Sequence, residues 1–573
     1  MFIRDRTELY REKDSGLYQE DKKENYLNLN IYSEYAHTFD EAHNLKIMAG
    51  FQAEEMDQSD LNVFKNGLIM SDMPEFDLTN GQLNSGLAKD ATVHGYSNRW
   101  ATAGFFGRLN YDYEGRYLVE TNIRYDGTSR FRRGNRWQWS PSFSLGWNIA
   151  QEKFWQPMQD VANLLKLRFS YGQLGNQNTN TWYPTYRTMT LGVLDGGWLQ
   201  NGTKPNTAKV GDLISTVLTW EKVRTWDIEL DYGFFNNRLT GSFDYFIRYT
   251  KDMVGDAPEL PLTLGVNPPQ TNNCDLKTKG WEVSLAWRDR LKNGFNYGIS
   301  VSLSDQQTYI DSYPSNKTNS LTTYDSQKQI NKSAYITGRK LNEIWGFETV
   351  GIAKTQEEMD AHLASLPKGG QSAIGSQWGA GDIMYRDLNG DGKISTGSNT
   401  LDDHGDLKLL GDANPHYFFG IDLTASWKGF DFRCFLQGVL KHDFWPGGDA
   451  TTKNDEAGGY FWGVKGSQNE WHTRGFVQHN DYFRAEAIGL EGNELSANVN
   501  SYFPRPLLNY ADGAKNQRIQ SRYMQNAAYM RLKNLQLGYT LPTTWTLKAG
   551  ISKCRLLSLI HISEPTRLAL ISY

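Results

Sequence analysis

Hydrophobic and polar residues alternate one by one along many segments of this chain. In one segment, Trp226, Ile228 and Leu230 alternate with Asp227 and Glu229, so that one face is apolar and the other charged. The same period of two recurs at 27–31, 117–125, 165–171, 239–249, 281–287 and 295–303. Successive side chains of a β-strand point to opposite faces, and this period therefore predicts a series of strands.

The alternation slips once near the end of the chain. Between Leu532 and Leu535 the apolar positions shift by one residue. A β-bulge inserts one extra residue into one strand of a pair, and the shift therefore predicts a bulge near Lys533 and Asn534.

Short turns and long polar segments follow the predicted strands in alternation. The short turns lie at 40–44, 113–115, 236–237, 288–294 and 428–429, and the long segments at about 57–99, 174–217, 250–274, 306–342 and 441–525. Outer-membrane β-barrels have short turns on one rim and long loops on the other. The pattern favours such a barrel over a soluble all-β sandwich, whose apolar face would be its core. Between 352 and 415 this alternation of rims requires one further ascending strand, which the sequence does not locate.

Composition excludes several other classes of protein. Aromatic residues make up 13% of the chain, while the mean hydropathy is −0.61 and no segment approaches the roughly 20 apolar residues of a spanning helix. The formal net charge of −5 offers no broad basic face, so that nucleic acid is not expected as a partner. Cys274, Cys434 and Cys554 are too dispersed for a disulfide framework or a metal site. The first residues lack the features of a signal peptide, which predicts either a cytosolic protein or a missing front end.

Seven stretches, in order, resemble the SusC/RagA branch of the TonB-dependent transporters. They are NIRYDGTSRF (122–131), NRWQWSPSFSLGWNIAQEKFW (135–155), LKLRFSYGQLGNQ (165–177), TWEKVRTWDIELDYGFFNNRLTGSFDYF (219–246), LKTKGWEVSLAW (276–287), GDIMYRDLNGDGKIS (381–395) and YMRLKNLQLGYTLP (529–542). The resemblance extends from about Asn25 to Arg555, which makes it far more specific than any single motif.

This resemblance implies a bacterial outer-membrane barrel of about 22 strands, closed by an N-terminal plug. Neither the plug nor a TonB-interacting segment is recognisable in the sequence. We therefore expect residues 1–556 to form an incomplete transmembrane antiparallel β-barrel, all-β in class and in contact with outer-membrane lipid. Residues 557–573, which continue neither the alternation nor the family motif, are predicted to be a non-native tail.

An acidic segment carries the one candidate metal site. Asp387, Asn389 and Asp391, followed by Gly392, fit the beginning of a calcium loop, to which Lys393 would add a carbonyl and Ser395 a hydroxyl. Position twelve is Ser398 in place of Glu, and Asp402, Asp403 or Asp406 could substitute for it. The alternative is a turn in which the carboxylates accept hydrogen bonds from backbone amides. No cofactor is required, and Ca²⁺ is the only candidate.

Aromatic residues are also frequent in the predicted long loops. Their flat faces, close to Asp, Asn and Gln, could hold sugar rings or peptide side chains. The alternative is that each one orders its loop or lies in the outer aromatic girdle. The candidates for ligand binding are Trp182, Tyr183, Tyr186, Trp198, Trp445, Tyr460, Trp462 and Trp471.

No catalytic motif stands out in the sequence. The ten histidines form no H-E-x-x-H spacing, and neither G-x-S-x-G nor a phosphate-binding loop occurs. We therefore expect a transporter and not an enzyme. The resemblance implies TonB-dependent import of an oligomeric nutrient, a glycan or a peptide, together with a SusD-like lipoprotein. The alternatives are a siderophore or cobalamin receptor and a passive porin or adhesin.

Overall fold

A computed structural model shows a chain built mainly of long antiparallel strands. It describes residues 2–10, 15–70, 72–83, 85–179, 181–193, 201–202, 206–211, 213–255, 269–325, 330–446, 480–489, 492, 494–507, 515–560 and 566–567. These residues form two compact units, one of 1–152, 167–227 and 248–274 and the other of 153–166, 228–247 and 275–573.

The described strands up to residue 290 include the predicted ones and others that the alternation did not predict. They are β1 (Phe2–Tyr10), β2 (Gly16–Phe39), β3 (His43–Asn66), β4 (Thr92–Tyr113), β5 (Tyr117–Thr128), β6 (Trp137–Asn148), β7 (Ala162–Asn176), β8 (Met189–Val193), β9 (Asn206–Val210), β10 (Glu221–Phe234), β11 (Leu239–Gly255) and β12 (Thr271–Arg290). Of these strands, the alternation did not predict β1, β8 and β9.

The later strands include several short ones. They are β13 (Asn296–Ser312), β14 (Thr322–Asp325), β15 (Ile330–Ser333), β16 (Glu343–Phe347), β17 (Thr349–Ile352), β18 (Ile383–Tyr385), β19 (Leu407–Asp412), β20 (His416–Trp427), β21 (Phe430–Lys441), β22 (Asp443–Phe444), β23 (Gln525–Asn526), β24 (Tyr529–Thr540), β25 (Arg555–Ile560) and β26 (Thr566–Arg567). Helix α1 spans Gln356–Ala364 and α2 spans Thr543–Thr546. No helix in the described part of the chain is long and apolar enough to cross a membrane.

One large sheet contains sixteen of these strands. Its order is β1-β2-β3-β4-β5-β6-β7-β10-β11-β12-β13-β20-β21-β24-β25, and β26 also pairs with β24. Each pair of strands with a determined register is antiparallel. Neighbouring strands of the sheet follow one another in sequence, except where β7 is followed by β10, β13 by β20 and β21 by β24. This is the topology that the alternating pattern predicted.

The apolar face of the sheet is exposed. Leu27 is 65% exposed, Ile228 52% and Leu285 43%, although each is on the apolar side of its strand. A soluble sandwich would bury these side chains, and that alternative is therefore wrong. In β5, Tyr117 and Tyr125 flank Val119, Thr121 and Ile123 on this face, and eight residues of extended chain separate the two tyrosines by about 27 Å. An outer-membrane barrel presents an apolar band about 25 Å tall between two aromatic girdles.

The bulge is where the sequence predicts it. Phe435 pairs with Asn534 and the next residue, Leu436, with Leu532, which leaves Lys533 without a partner in the ladder. All five predicted short turns are confirmed.

The predicted loop at 57–99 is wrong at both ends. Strand β3 continues to Asn66 and β4 begins at Thr92, with a continuous register between them. Strands of 22 to 24 residues exceed the height of the apolar band. At the far end of β3 the polar Gln58 and Asp60 are buried, whereas Leu61 is 52% exposed. A stretch that is mostly polar lacks the continuous apolar face from which strands were predicted.

The sheet contains no further ascending strand between 352 and 415, a range that the structure describes in full, so this prediction is wrong. Strand β13 pairs directly with β20, for example Leu303 with Phe419, and residues 313–415 leave the sheet as a single excursion. The described residues of this excursion and of 480–526 pack around one core, and we call the two segments the loop domain. Its buried core includes Phe347, Ile383 and Tyr385 from the first segment and Phe503 and Tyr523 from the second.

Strand β25 was not predicted. Residues Arg555–Ile560 pair with β24, Leu557 lying opposite Gly538. Residues 557–560 of the predicted tail therefore belong to a ladder with β24, and β26 pairs with β24 as well, although all six residues of β25 are exposed. That residues 557–573 are non-native stays a prediction.

Candidate functional site

Three of the predicted ligand-binding aromatic residues lie in the segment that follows β7. Tyr183 is 41% and Tyr186 47% exposed, while Trp182 is half-buried. The rings of Tyr183 and Tyr186 have centroids 6.5 Å apart and lie nearly perpendicular to each other. These two tyrosines therefore offer ring surface for a ligand.

The aromatic segment is attached to the neighbouring strands. The Tyr183 hydroxyl accepts a hydrogen bond from the backbone N–H of Arg99 at 3.0 Å. Thr185 is fully buried, and its carbonyl accepts hydrogen bonds from the Arg132 guanidinium at 3.2 and 3.0 Å. The same guanidinium lies over the Tyr186 ring, 5.5 Å from the centroid. The two tyrosines are thus held in place before any ligand arrives.

Trp445 has a different environment. It is partly buried and packs against the core of the loop domain, which matches the alternative that such residues order their loops. Its ligand role stays a prediction. The remaining predicted residues, Trp198, Tyr460, Trp462 and Trp471, lie outside the described residues.

The acidic segment forms a tight loop in which carboxylates accept backbone hydrogen bonds. Asp387 accepts from Gly390 N–H at 2.7 Å and from Gly392 N–H at 2.9 Å. Asn389 and Asp391 each accept from the N–H two residues further along, at 2.9 and 3.1 Å. Ser395 Oγ accepts from Gly397 N–H at 3.3 Å.

Of the three candidates for the missing twelfth ligand, Asp406 reaches into this loop. The Asp406 carboxylate accepts from Leu388 N–H and from Ser395 N–H, both at 2.8 Å. Burial raises the pKa of Asp406, with a smaller contribution from the negative charge of Asp387. Asp403 instead accepts from the hydroxyl of Ser398 at 2.6 Å.

The loop therefore has the hydrogen bonds of the turn alternative. Within the described ranges, no three of its carboxylates come within 4.8 Å of one another. Lys393 places its ammonium 4.0 Å from Asp391, where it competes with a cation for that carboxylate. A bound ion would need the carboxylates to exchange amide contacts for the metal.

Polar residues that the sequence analysis did not single out line the inner face of the sheet. On β4 and β5, Arg108 donates to Asn122 at 2.6 Å, and Asn110 donates to Glu120 at 2.7 Å. Glu120 and Asn122 also line a concavity of about 350 Å³ with serines such as Ser142. The period-two pattern marked these positions only as the polar side of each strand. Their side chains pair across the two strands on the polar face of the sheet.

A buried ionic network in the loop domain was also missed. Asp382 is fully buried and accepts from Arg505 at two distances of 2.7 Å and from Lys515 at 2.9 Å. Lys515, also fully buried, lies over the Trp378 ring, 4.6 Å from its centroid. The partners are more than 120 residues apart, so no local pattern could have indicated them. The network connects the two segments of the loop domain.

Helix α1 in the same domain follows a local signal. Thr355 is its N-cap and accepts from Glu358 N–H at 3.2 Å, while Glu358 accepts from Lys354 N–H at 2.7 Å. This reciprocal arrangement satisfies two backbone donors at the beginning of the helix.

Long antiparallel strands with an exposed apolar face, a polar inner face, short turns on one edge and long loops on the other define an outer-membrane β-barrel protein. A family model described as "TonB dependent receptor-like, beta-barrel" matches residues 4–552, and the chain belongs to this family. The prediction of the family and of the outer membrane as its location is confirmed.

Several known proteins are similar to this chain. TonB-dependent receptor P3 of Formosa agariphila is 26% identical over 528 residues, covering 90% of this chain and 45% of that protein. TonB-dependent receptor SusC of Bacteroides thetaiotaomicron is 25% identical, covering 91% of this chain and 44% of SusC. The solved RagAB peptide transporter shares the fold with a TM-score of 0.69 at 18% identity, covering 97% of this chain and 53% of that one. The chain thus spans about half the length of the curated relatives that it matches.

Proposed function

We propose that this chain forms the barrel wall of an active, TonB-dependent importer of an oligomeric nutrient, either a glycan or a peptide. The observation that carries the proposal is the folded loop domain, which has its own core between β13 and β24. In this proposal the loop domain provides a recognition surface for a ligand larger than a single sugar or amino acid. The RagAB protein, whose fold this chain shares, is a peptide transporter, and this supports an oligomeric ligand.

Two partners belong to this proposal. A SusD-like lipoprotein would cover the extracellular mouth, and TonB would transmit energy from the inner membrane through a plug. The ligand is first held between this lid and the aromatic side chains of the long loops. It then passes along the polar inner wall, where Arg108, Asn110, Glu120 and Asn122 offer hydrogen bonds to hydroxyl or amide groups.

The test is uptake by a strain that lacks only this receptor. We expect loss of growth on one class of oligosaccharide or peptide, unchanged growth on its monomers, and the same loss when TonB is deleted. Growth that fails only under iron or cobalamin limitation would favour a siderophore or cobalamin receptor. Uptake that persists without TonB would favour a passive porin. Co-purification of a lipoprotein with the receptor tests the lid.

We also propose that the acidic loop at 387–395 binds a divalent cation weakly. The support is that Asp387, Asp391 and Asp406 contribute oxygens to one tight turn, and oxygen ligands suit a hard cation. A ligand that binds only the folded form stabilises it by mass action. The double substitution Asp387→Ala, Asp391→Ala should therefore abolish the rise in thermal stability that calcium gives to the parent. If calcium raises the thermal stability of both proteins equally, the loop is a turn and not a calcium site.

A further inference from the structure

Two loop segments carry positive charge without any negative charge. Residues 129–136 and 177–193 contain five arginines and no Asp or Glu, although the whole chain has a net charge of −5. The arginines are Arg130, Arg132, Arg133, Arg136 and Arg187. This local excess of positive charge contrasts with the negative net charge of the whole chain.

The two segments are in contact. Arg130 donates to Thr179 Oγ1 at 3.1 Å, and Arg132 donates twice to the Thr185 carbonyl. In return, the Thr185 hydroxyl donates to the Arg130 carbonyl at 3.4 Å. These contacts bring the arginines and the exposed tyrosines into one surface, which we call the cationic surface.

Nearby arginines on the strands are neutralised, whereas those of the cationic surface are not. Arg99 forms ion pairs with Glu55 and Asp57, and Arg124 with Asp126. By contrast, the acceptors of Arg130 and Arg132 within the described residues are a hydroxyl and a carbonyl, which are neutral.

Two further features leave N–H donors of this surface without an acceptor on the protein. The Nε of Arg130 has no hydrogen-bond partner among the described residues. Arg133 is exposed, and its side chain makes no hydrogen bond or ion pair within the part of the chain that the structure describes. An anion arriving from solution would find donors that no carboxylate of the protein already occupies.

We propose that the cationic surface binds the acidic group, a carboxylate or a sulfate, of an anionic oligosaccharide. This inference rests on the proposed import function and names its substrate class. A guanidinium presents several N–H donors in a plane and pairs with such oxyanions through two parallel hydrogen bonds. Arg132 uses Nε and one Nη on Thr185 and has further N–H donors available for a ligand.

The exposed rings of the two tyrosines favour a glycan over a peptide as the ligand. Tyr183 and Tyr186 are held by Arg99 and Arg132, and their rings remain about half exposed. A fixed, exposed aromatic face beside a cation fits the flat C–H face of a sugar ring whose acidic substituent reaches the guanidinium. An acidic peptide would use the charge but would not need the ring faces.

The test measures equilibrium binding to outer-membrane vesicles that contain the full-length receptor, without any requirement for transport. The probes are labelled oligogalacturonate, a sulfated galactan oligomer, a neutral oligosaccharide of equal length, and oligoglutamate. We expect the two acidic glycans to bind more tightly than the neutral one and to lose affinity as salt is raised. The two acidic probes distinguish a carboxylate from a sulfate.

Arg132→Gln and Arg133→Gln should each weaken binding of the acidic glycan about tenfold or more, which is the usual effect of removing a hydrogen bond to a charged group. The matched control is Lys89→Gln, which removes one exposed positive charge from a different long loop. Heat-modifiable migration on a gel verifies that each variant is folded. Since the Arg133 side chain supports no described contact, its substitution keeps the test valid even if Arg132→Gln does not fold.

Two results would overturn the proposal. If Arg132→Gln and Arg133→Gln reduce acidic glycan binding no more than Lys89→Gln, the surface is not an anion site. If oligoglutamate binds as tightly as the acidic glycans, the ligand is not a glycan. Normal binding without any TonB-dependent uptake would refute the importer and leave the anion site in place, so that the two failures are distinguishable.

Discussion

Replacing Val301 or Ser302 by Arg tests which face of the sheet contacts lipid. The two residues are adjacent on β13, both are exposed and both are uncharged. Val301 pairs with Leu285 on one side and Ile421 on the other, whereas Ser302 pairs with Ser284 and Gly420. The substitutions therefore introduce the same side chain at one height on opposite faces.

The expected difference follows from the position of Val301 in the apolar band. Its partner Leu285 lies between Trp281 and Trp287, four residues from the first and two from the second, and these tryptophans are about 20 Å apart along the strand. An Arg on the lipid face near the bilayer midplane costs about 2 to 4 kcal/mol, whereas an Arg facing the lumen meets water. Val301→Arg should therefore lower the folding equilibrium about 30- to 900-fold relative to Ser302→Arg.

Assembly can be measured on the full-length receptor in outer-membrane vesicles. Heat-modifiable migration reports the fraction of folded barrel, and urea titration of the same samples reports its stability. We expect Ser302→Arg to match the parent and Val301→Arg to show less folded protein and a lower urea midpoint. Equal behaviour of the two variants, or greater loss with Ser302→Arg, would refute the assignment of faces.

Two further predictions concern the bulge and the buried ionic network. Deleting Lys533 removes the bulged residue, which has no partner in the ladder between β21 and β24, and leaves every other residue on its face. Deleting Gln536 instead moves all residues on one side of it to the opposite face. We expect only the Lys533 deletion to assemble, and assembly of both variants would show that the register is not fixed. Lys515→Met leaves the buried Asp382 short of a partner and should lower the stability of the loop domain by about 3 to 5 kcal/mol. The control, Lys408→Met, breaks a more exposed ion pair with Glu348 and should cost about 1 kcal/mol or less. Limited proteolysis compares the two variants, and equal susceptibility would contradict the role of the network.

Local periodicity predicted the sheet because one face of each strand meets lipid and the other meets water. Trp226 and Ile228 on one side of β10, and Lys533 at the bulge of β24, follow directly from that constraint. The constraint ends at the membrane surface. Beyond it, the far ends of β3 and β4 lost the pattern and were predicted as loop.

The loop domain could not be predicted because its contacts are not local. Its short strands pair across large separations, such as Glu343 with Asp412, and Asp382 meets Lys515 from another segment. Aromatic composition identified Tyr183 and Tyr186, which the structure places at the surface, but it selected Trp445 on equal grounds although that residue packs on a core. The arginines beside the tyrosines carry no periodic signal, and only the contact between the two loops reveals them.

The division of the loop domain into two segments determines when it can be completed. During synthesis Phe347 and Ile383 emerge before β20 and β21, whereas Phe503, Lys515 and Tyr523 emerge after them. The domain therefore cannot close its core until a hairpin of the barrel wall has already been made. Residues 313–415 are consequently not a cassette that could be moved alone to another barrel, because the transplanted segment would leave behind the residues that cover its core and neutralise Asp382.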